Sequence, residues 1–194
     1  MSPSPFIVEW IERLADERGG DRRALDVAMG RGRHAVPLAR AGFTTFGVDL
    51  SLDAVREAIA AGARDAVRLR GWCADLTRYP LPRGRFDLVL VCRYLQRDLF
   101  PDLRAALAPG GVVIYETFTT GQRALGRRPT SADHLLEPGE LRRLFDGLDV
   151  LFYEEVAAPD AVARLVARVR SSSNASTGSE TLPGCAEPCD SSAW

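Results

Sequence analysis

Apolar positions recur along the chain with two periods, and the places where one gives way to the other mark the elements. After Ser4-Pro5, the positions Ile7, Trp10, Ile11 and Leu14 keep the three-and-four spacing of an amphipathic helix. Pro5 is tolerated in the first turn, and Gly19-Gly20 ends the pattern. Five short β-branched or apolar runs, over 24–29, 44–49, 67–75, 86–92 and 112–118, end in polar or glycine residues and predict strands. Ala-rich helical stretches over 34–41, 52–61 and 101–107 lie between them. Strands that alternate with helices over such lengths pair in parallel through crossover connections.

The pattern changes after residue 137. A short helix is predicted over 138–145. Two further strands, over 149–155 and 161–170, are separated only by a few residues containing Ala158-Pro159-Asp160, so they pair as an antiparallel hairpin. The expected fold class is therefore α/β: a Rossmann-like, doubly wound, seven-stranded sheet, mostly parallel with a C-terminal antiparallel hairpin. The domain is expected over residues 1–170. Residues 171–194 are rich in Ser, Gly, Pro and Thr with few apolar side chains to offset ordering entropy, and they predict a disordered tail. No repeat occurs at solenoid or propeller periods.

Composition narrows the class further. A chain of 194 residues accommodates one domain with a tail, and 46% hydrophobic with 26% charged residues predicts a buried core rather than wholesale disorder. The longest apolar stretches, 88–91 and 112–115, fall far short of the ~20 residues that cross a bilayer, and the opening MSPSPFIVEW has no basic region before an apolar run. No membrane span and no signal peptide are expected. The formal charge of -1 leaves no global field for a long polyanion, although local arginine clusters remain open. The four cysteines are too few for a disulfide framework: Cys73 and Cys92 fall in strand-like runs and Cys185 and Cys189 in the polar tail, which fits a reducing cytoplasm.

Candidate chemistry begins at the end of the first strand, in ALDVAMGRGRHA. Gly30 and Gly32 open a tight loop into a helix, where glycines permit close backbone approach and helix-start N–H groups favour an anionic group. The run satisfies the loose G-x-G-x-x-A pattern, but a plain strand–helix turn would read the same. Nineteen residues after Gly30, the second strand ends in Gly47-Val48-Asp49, which puts a carboxylate where it can accept both hydroxyls of a ribose. The third ends in Cys73-Ala74-Asp75, a second acid at the same edge. Each alone also reads as a helix cap; together they predict a nucleoside-bearing ligand.

The order LDVAMGRGRH, FGVDLS, CADL, FDLVLVCRYL and LAPGGVVIYETF resembles the class I S-adenosylmethionine-dependent methyltransferases over about residues 1–170. GRHA, YLQRDLFP, YETFTTGQRALGR and HLLEPGEL further resemble the small bacterial tellurite-resistance-type branch. The resemblance implies S-adenosylmethionine as cofactor, with Asp26 and the turn Ala28, Met29, Gly30 and Gly32 at its methionine end. It puts Asp49 at the ribose, Asp75 and the Leu76 backbone at the adenine, and the Cys92 backbone on the methionine side, with Leu50 also among the cofactor-binding residues. Ala28 stands where the commoner pattern has its first glycine, adding one methyl. A nicotinamide dehydrogenase is opposed by three features: Asp26, which would repel a pyrophosphate; Pro109-Gly110-Gly111 with the terminal hairpin; and the expectation that no second catalytic domain follows.

Methyl transfer from a sulfonium is an in-line displacement whose leaving group needs no proton, so positioning and water exclusion suffice and a base is optional. No metal is expected, since no Cys/His spacing or H-E-x-x-H occurs. The catalytic candidates are Arg93, Tyr94 and Glu116, beside Arg97, Thr117 and Phe118, at the ends of the fourth and fifth strands. Arg93 or Arg97 would hold an oxyanion or carboxylate and Tyr94 would orient a nucleophile; the alternative has Arg97 paired with Asp98 or Asp102 and Tyr94 packed under the helix. His34 and His134 read as structural or exposed. The segment 119–141, with Arg123, Arg127 and Arg128, reads as a lid or as a solvated loop. The expected partner is a small-molecule acceptor or oxyanion, with no stable nucleic-acid complex, no membrane, and a monomer or weak homodimer. RNA methylation and a non-catalytic cofactor-binding protein are the other readings.

Overall fold

The strand Phe86–Cys92 (β4) lies at the centre because it is apolar on both sides: Leu88, Leu90 and Cys92 face one layer of the core, while Val89 and Val91 face the other. The computed structural model describes residues 2–17 and 20–170, so the expectation for 171–194 lies outside the described residues. Around β4 run Arg23–Val27 (β1), Thr44–Asp49 (β2), Leu69–Cys73 (β3), Leu107–Phe118 (β5), Asp149–Val156 (β6) and Val162–Arg168 (β7). They form one seven-stranded sheet in the order β3-β2-β1-β4-β5-β7-β6. The first five are mutually parallel, and β7 runs antiparallel to both β5 and β6.

Pro5–Asp16 (α1), Ala35–Arg40 (α2) and Leu52–Arg64 (α3) are the helices of the N-terminal half. The apolar stripe of α1, Phe6, Ile7, Ile11 and Leu14, is buried against Leu88, Leu90, Val112 and Ile114, each such side chain contributing about 2 kcal/mol. Phe100–Ala106 (α4) and, beyond the single turn Gly121–Ala124 (α5), Glu140–Leu144 (α6) pack on the Val89/Val91 side with Leu99, Leu103, Leu141 and Phe145. There Phe100 stacks on Tyr115 with ring centroids 5.3 Å apart, and Phe145 meets both edge-on.

Strands β2 and β4 have the bounds that their patterning predicts. The third strand is shorter than 67–75. Helix α3 continues to Arg64, Ala66 turns left-handed at φ 56°, and the Val67 N–H bonds back to the Gly62 carbonyl at 2.9 Å, so Val67 closes a helix rather than opening a strand. Asp75 consequently stands in the turn after β3. The fifth strand is longer than 112–118, because Leu107 pairs with Phe86 across an irregularity that absorbs the Pro109-Gly110-Gly111 run. Cys73 is exposed at the sheet edge rather than packed. Among the described residues, no helix is long and apolar enough to cross a membrane.

Candidate functional site

Strand order reverses between β1 and β4, so the loops leaving their carboxyl ends diverge and leave a crevice between them. The loop after β1 is held by three left-handed residues, Ala28 at φ 54°, Gly30 at 54° and Gly32 at 80°. Met29 N–H donates to the Val48 carbonyl at 3.0 Å, which fixes this turn beside β2. The two glycines serve different ends. A Cβ on Gly32 would sit 2.9 Å from the Ala58 Cβ and 3.1 Å from its Cα, so Gly32 is what lets α3 approach; a Cβ on Gly30 would meet nothing within 4 Å. Gly30→Ala is therefore expected to cost only the left-handed penalty of about 1 kcal/mol. Gly32→Ala is expected to cost about 1–3 kcal/mol more through overpacking. Urea midpoints check the pair, and equal losses would remove the assigned role of Gly32.

Three acids stand at this edge in different states. Asp26 is buried to 2% exposure on β1, and its Oδ2 has no hydrogen-bond partner. Burial pushes its carboxyl up to about 8; the Arg33 charge and the Ala35 N–H pull it down, and Asp49 adds to the rise. Asp49 accepts the Gly30 N–H on Oδ2 at 2.8 Å and the Ser51 N–H on Oδ1 at 2.9 Å, tying the glycine turn to the end of β2. Capping of α3 falls to Ser51, whose Oγ accepts the Ala54 N–H at 3.2 Å. Leu50 beside it is 71% exposed. Asp75 accepts the Thr77 N–H and hydroxyl on Oδ1 at 2.9 and 2.7 Å, which lowers its pKa, and Leu76 follows half-buried. Asp75 thus caps a turn rather than a helix, on one oxygen, with Arg78 3.5 Å from the other.

Across the crevice, Arg93 takes a left-handed φ of 56°; its N–H bonds the Glu116 carbonyl at 2.7 Å, and its guanidinium lies over Phe118 and 3.4 Å from Asp160. Tyr94 is half-buried, packs against the main core cluster and donates its hydroxyl to Gln96. Burial, then the charges of Asp98, Asp75 and Asp49, raise its pKa. Cys92 is buried: its sulfur accepts from Arg33 at 3.4 Å, its thiol approaches Glu116 at 3.8 Å, and burial pushes it up to about 12.

Two expectations are corrected. Glu116 does not face the crevice: at 4% exposure, it accepts Arg164 Nε at 2.7 Å and the Ser4 hydroxyl at 3.0 Å, beneath the start of α1. Its neighbour Thr117 is buried as well. Arg97 pairs with neither Asp98 nor Asp102 but forks onto Glu140 at 2.6 and 3.0 Å and onto the Leu135 carbonyl at 2.9 Å, so it anchors the segment before α6. That segment is pinned rather than loose: buried Gln122 accepts the Ala161 N–H at 2.8 Å and donates to the Arg128 carbonyl at 3.1 Å, and Arg127 reaches Asp160 at 3.0 Å. His34 is structural, its Nε2 accepting the Ser4 N–H at 3.1 Å, and burial with Arg33 and Arg93 holds its pKa down to about 3. His134 is exposed. Sequence reasoning misses Arg33, Arg164 and Asp160. Arg164 stands opposite Glu116 in the β5–β7 register, which the sequence does not set.

Residues 24–111 match the family model described as a methyltransferase domain. The ubiquinone biosynthesis O-methyltransferase of Caulobacter sp. (strain K31) is 31% identical over 121 residues, 59% of this chain and 48% of that protein. The chain spans about half the length of the curated relatives it matches, 51% and 48% of them. Among solved structures, TehB from Haemophilus influenzae superposes with a TM-score of 0.71 at 12% identity, covering 86% of this chain and 62% of that one. An S-adenosylmethionine-dependent methyltransferase from Mesorhizobium loti superposes with a TM-score of 0.65 at 22% identity, covering 83% and 97%. The fold is that of the class I S-adenosylmethionine-dependent methyltransferases.

Proposed function

We propose that this chain, which carries a methyltransferase domain over residues 24–111, is an S-adenosylmethionine-dependent methyltransferase acting on a small molecule or oxyanion in the cytoplasm, as a monomer or weak homodimer. The observation that carries the reading is the glycine turn held to Asp49 by the Gly30 N–H, open at Gly30 and backed by the orphaned Asp26 oxygen. A buried acceptor without a donor is costly unless a ligand supplies one. The ammonium of a methionine moiety supplies it; a pyrophosphate has only acceptor oxygens and supplies none.

The residues present fit the cofactor. Asp26 and the turn from Ala28 through Met29 to Gly32 hold the methionine end. Asp49 has lone pairs left for a ribose diol, exposed Leu50 offers an apolar face, and Asp75 with Leu76 receives the adenine. The bound cofactor supplies a methyl on a cationic sulfur. The chain's own contribution is orientation: Arg93 and Tyr94 border the place from which an acceptor approaches, and the buried Glu116–Arg164 pair positions β5 and β7 behind them.

Calorimetric titration is expected to give saturable binding of S-adenosylmethionine and of its demethylated product, and none of NADH. Binding of NADH with no response to either sulfur nucleoside would overturn the proposal.

A further inference from the structure

The Val89/Val91 side of the sheet is covered unevenly. Helices α4 and α6 lie over β4, β5 and β7, whereas the connection from β3 to β4, residues 74–85, forms no helix, and Leu81 is its one buried residue. Beside that connection lies a cavity of about 330 Å³ lined by Arg23, Phe46, Trp72, Pro82, Arg85 and Phe86. Arg23 opens β1 and Phe86 opens β4, so the cavity lies toward the amino ends of these strands, away from the crevice, and none of the cofactor residues lines it.

Three aromatic rings make its floor. Phe46 and Phe86 meet edge-on with centroids 5.8 Å apart, and half-buried Trp72 packs against the same core cluster. Such rings favour a flat aromatic guest, edge-on or offset-stacked, over a saturated one of similar size. The wall is almost entirely carbon, so Arg23 and Arg85, both exposed, give it their stems and keep their charged heads at its mouth. Their backbone N–H groups are held, Arg23 by Asp87 Oδ2 and Arg85 by the Ala106 carbonyl, each at 2.9 Å, which fixes where the two stems start. Among the described residues neither guanidinium is in an ion pair, and no carboxylate lines the cavity. Arg70 adds a third cation on this face, 5.4 Å from the Phe46 centroid. A second copy docked through the same face would set these arginines against one another. An aromatic acid meets both the rings and the cations.

We infer that this cavity is a second ligand site, and that it takes a small planar aromatic carboxylate whose ring lies against Phe46, Trp72 and Phe86 and whose carboxylate lies at the mouth with Arg23 and Arg85. Because no cofactor residue lines it, the site stands or falls apart from the methyltransferase reading.

Naphthalene-2-carboxylate, its primary amide and its saturated decahydro analogue are titrated into the full chain, and binding is read by calorimetry and by tryptophan fluorescence. The aromatic acid should bind saturably and quench Trp72. The amide should bind at least about threefold more weakly, a modest factor because the cations are exposed, and the saturated acid at least about threefold more weakly as well. Trp72→Phe keeps a ring and should bind while losing the quench. The double variant Arg23→Gln, Arg85→Gln should bind the acid no better than the parent binds the amide, while Arg40→Gln, in a surface pair with Asp65, leaves binding unchanged. Excess S-adenosylhomocysteine should leave the titration in place. The inference is overturned if no saturable binding appears up to millimolar acid, if the acid binds like its amide or like its saturated analogue, if the double arginine variant binds the acid as the parent does, or if Trp72→Phe is quenched as the parent is. Displacement by S-adenosylhomocysteine overturns it too, since the aromatic acid would then be sitting in the place of the adenine.

Discussion

Asp49→Ala is expected to lower the affinity for S-adenosylmethionine at least about tenfold, and nearer a hundredfold if both ribose hydroxyls are lost as donors. A hydrogen bond to a charged acceptor contributes roughly 1.5–3 kcal/mol, and each 1.4 kcal/mol is a factor of ten. The side chain also has a structural role, since its two oxygens already hold the Gly30 and Ser51 N–H groups at 2.8 and 2.9 Å. Alanine therefore also releases the glycine turn from β2. Asp49→Asn separates the two effects, because an amide oxygen can still hold one N–H while the charge is gone. The asparagine variant should keep the parent's melting temperature more closely than alanine does, yet still bind weakly. Parent-like affinity in a folded alanine variant, measured by calorimetry, would remove Asp49 from the site.

Much of this edge was legible from sequence because it is written locally. A glycine turn after an apolar run, then an acid at the end of each of the next two strands, needs only strand–helix alternation to be brought to one place, and β1, β2 and β3 do lie side by side. The far side of the crevice was not legible, because its contacts join distant segments. Arg97 and Glu140 are 43 residues apart, Ser4 and Glu116 are 112 apart, and nothing near either member announces the other. Glu116 looked substrate-facing because it ends an apolar strand, as Asp26 and Asp49 do. The difference lies in what covers each: the start of α1 and the neighbouring strand β7 close over Glu116, and they lie near the two ends of the described residues. The charge state of Asp26 was invisible as well, since an acid among apolar residues reads the same whether its oxygens are satisfied or orphaned.

That charge state yields the last prediction. The folded-state pKa of Asp26, pushed up to about 8 by burial, lies above its ordinary value of 3.8, so between those limits the folded protein holds a proton that the unfolded chain has lost. Stability of the ligand-free protein should consequently fall as pH rises through this window and level off above about 8. His34 works in the opposite direction in acid: held down to about 3, it resists the proton that the unfolded imidazole takes up near 6.5, so it costs stability only as pH falls below that value. Between pH 6.5 and 8, Asp26 acts without His34, and the expected loss is roughly 1.5 kcal/mol. Asp26→Asn should abolish it, giving urea midpoints that stay level over the same range. Binding should show the mirror image. A cationic methionine end favours the ionised carboxylate, so S-adenosylmethionine affinity should rise roughly tenfold from pH 6.5 to 8, with proton release that depends on the ionisation heat of the buffer. Asp26→Asn should bind weakly and without that rise. A parent protein whose stability and affinity are both flat across this window would mean that Asp26 is already ionised, its Oδ2 satisfied by water, and that the buried carboxyl is not what selects the cationic end of the cofactor.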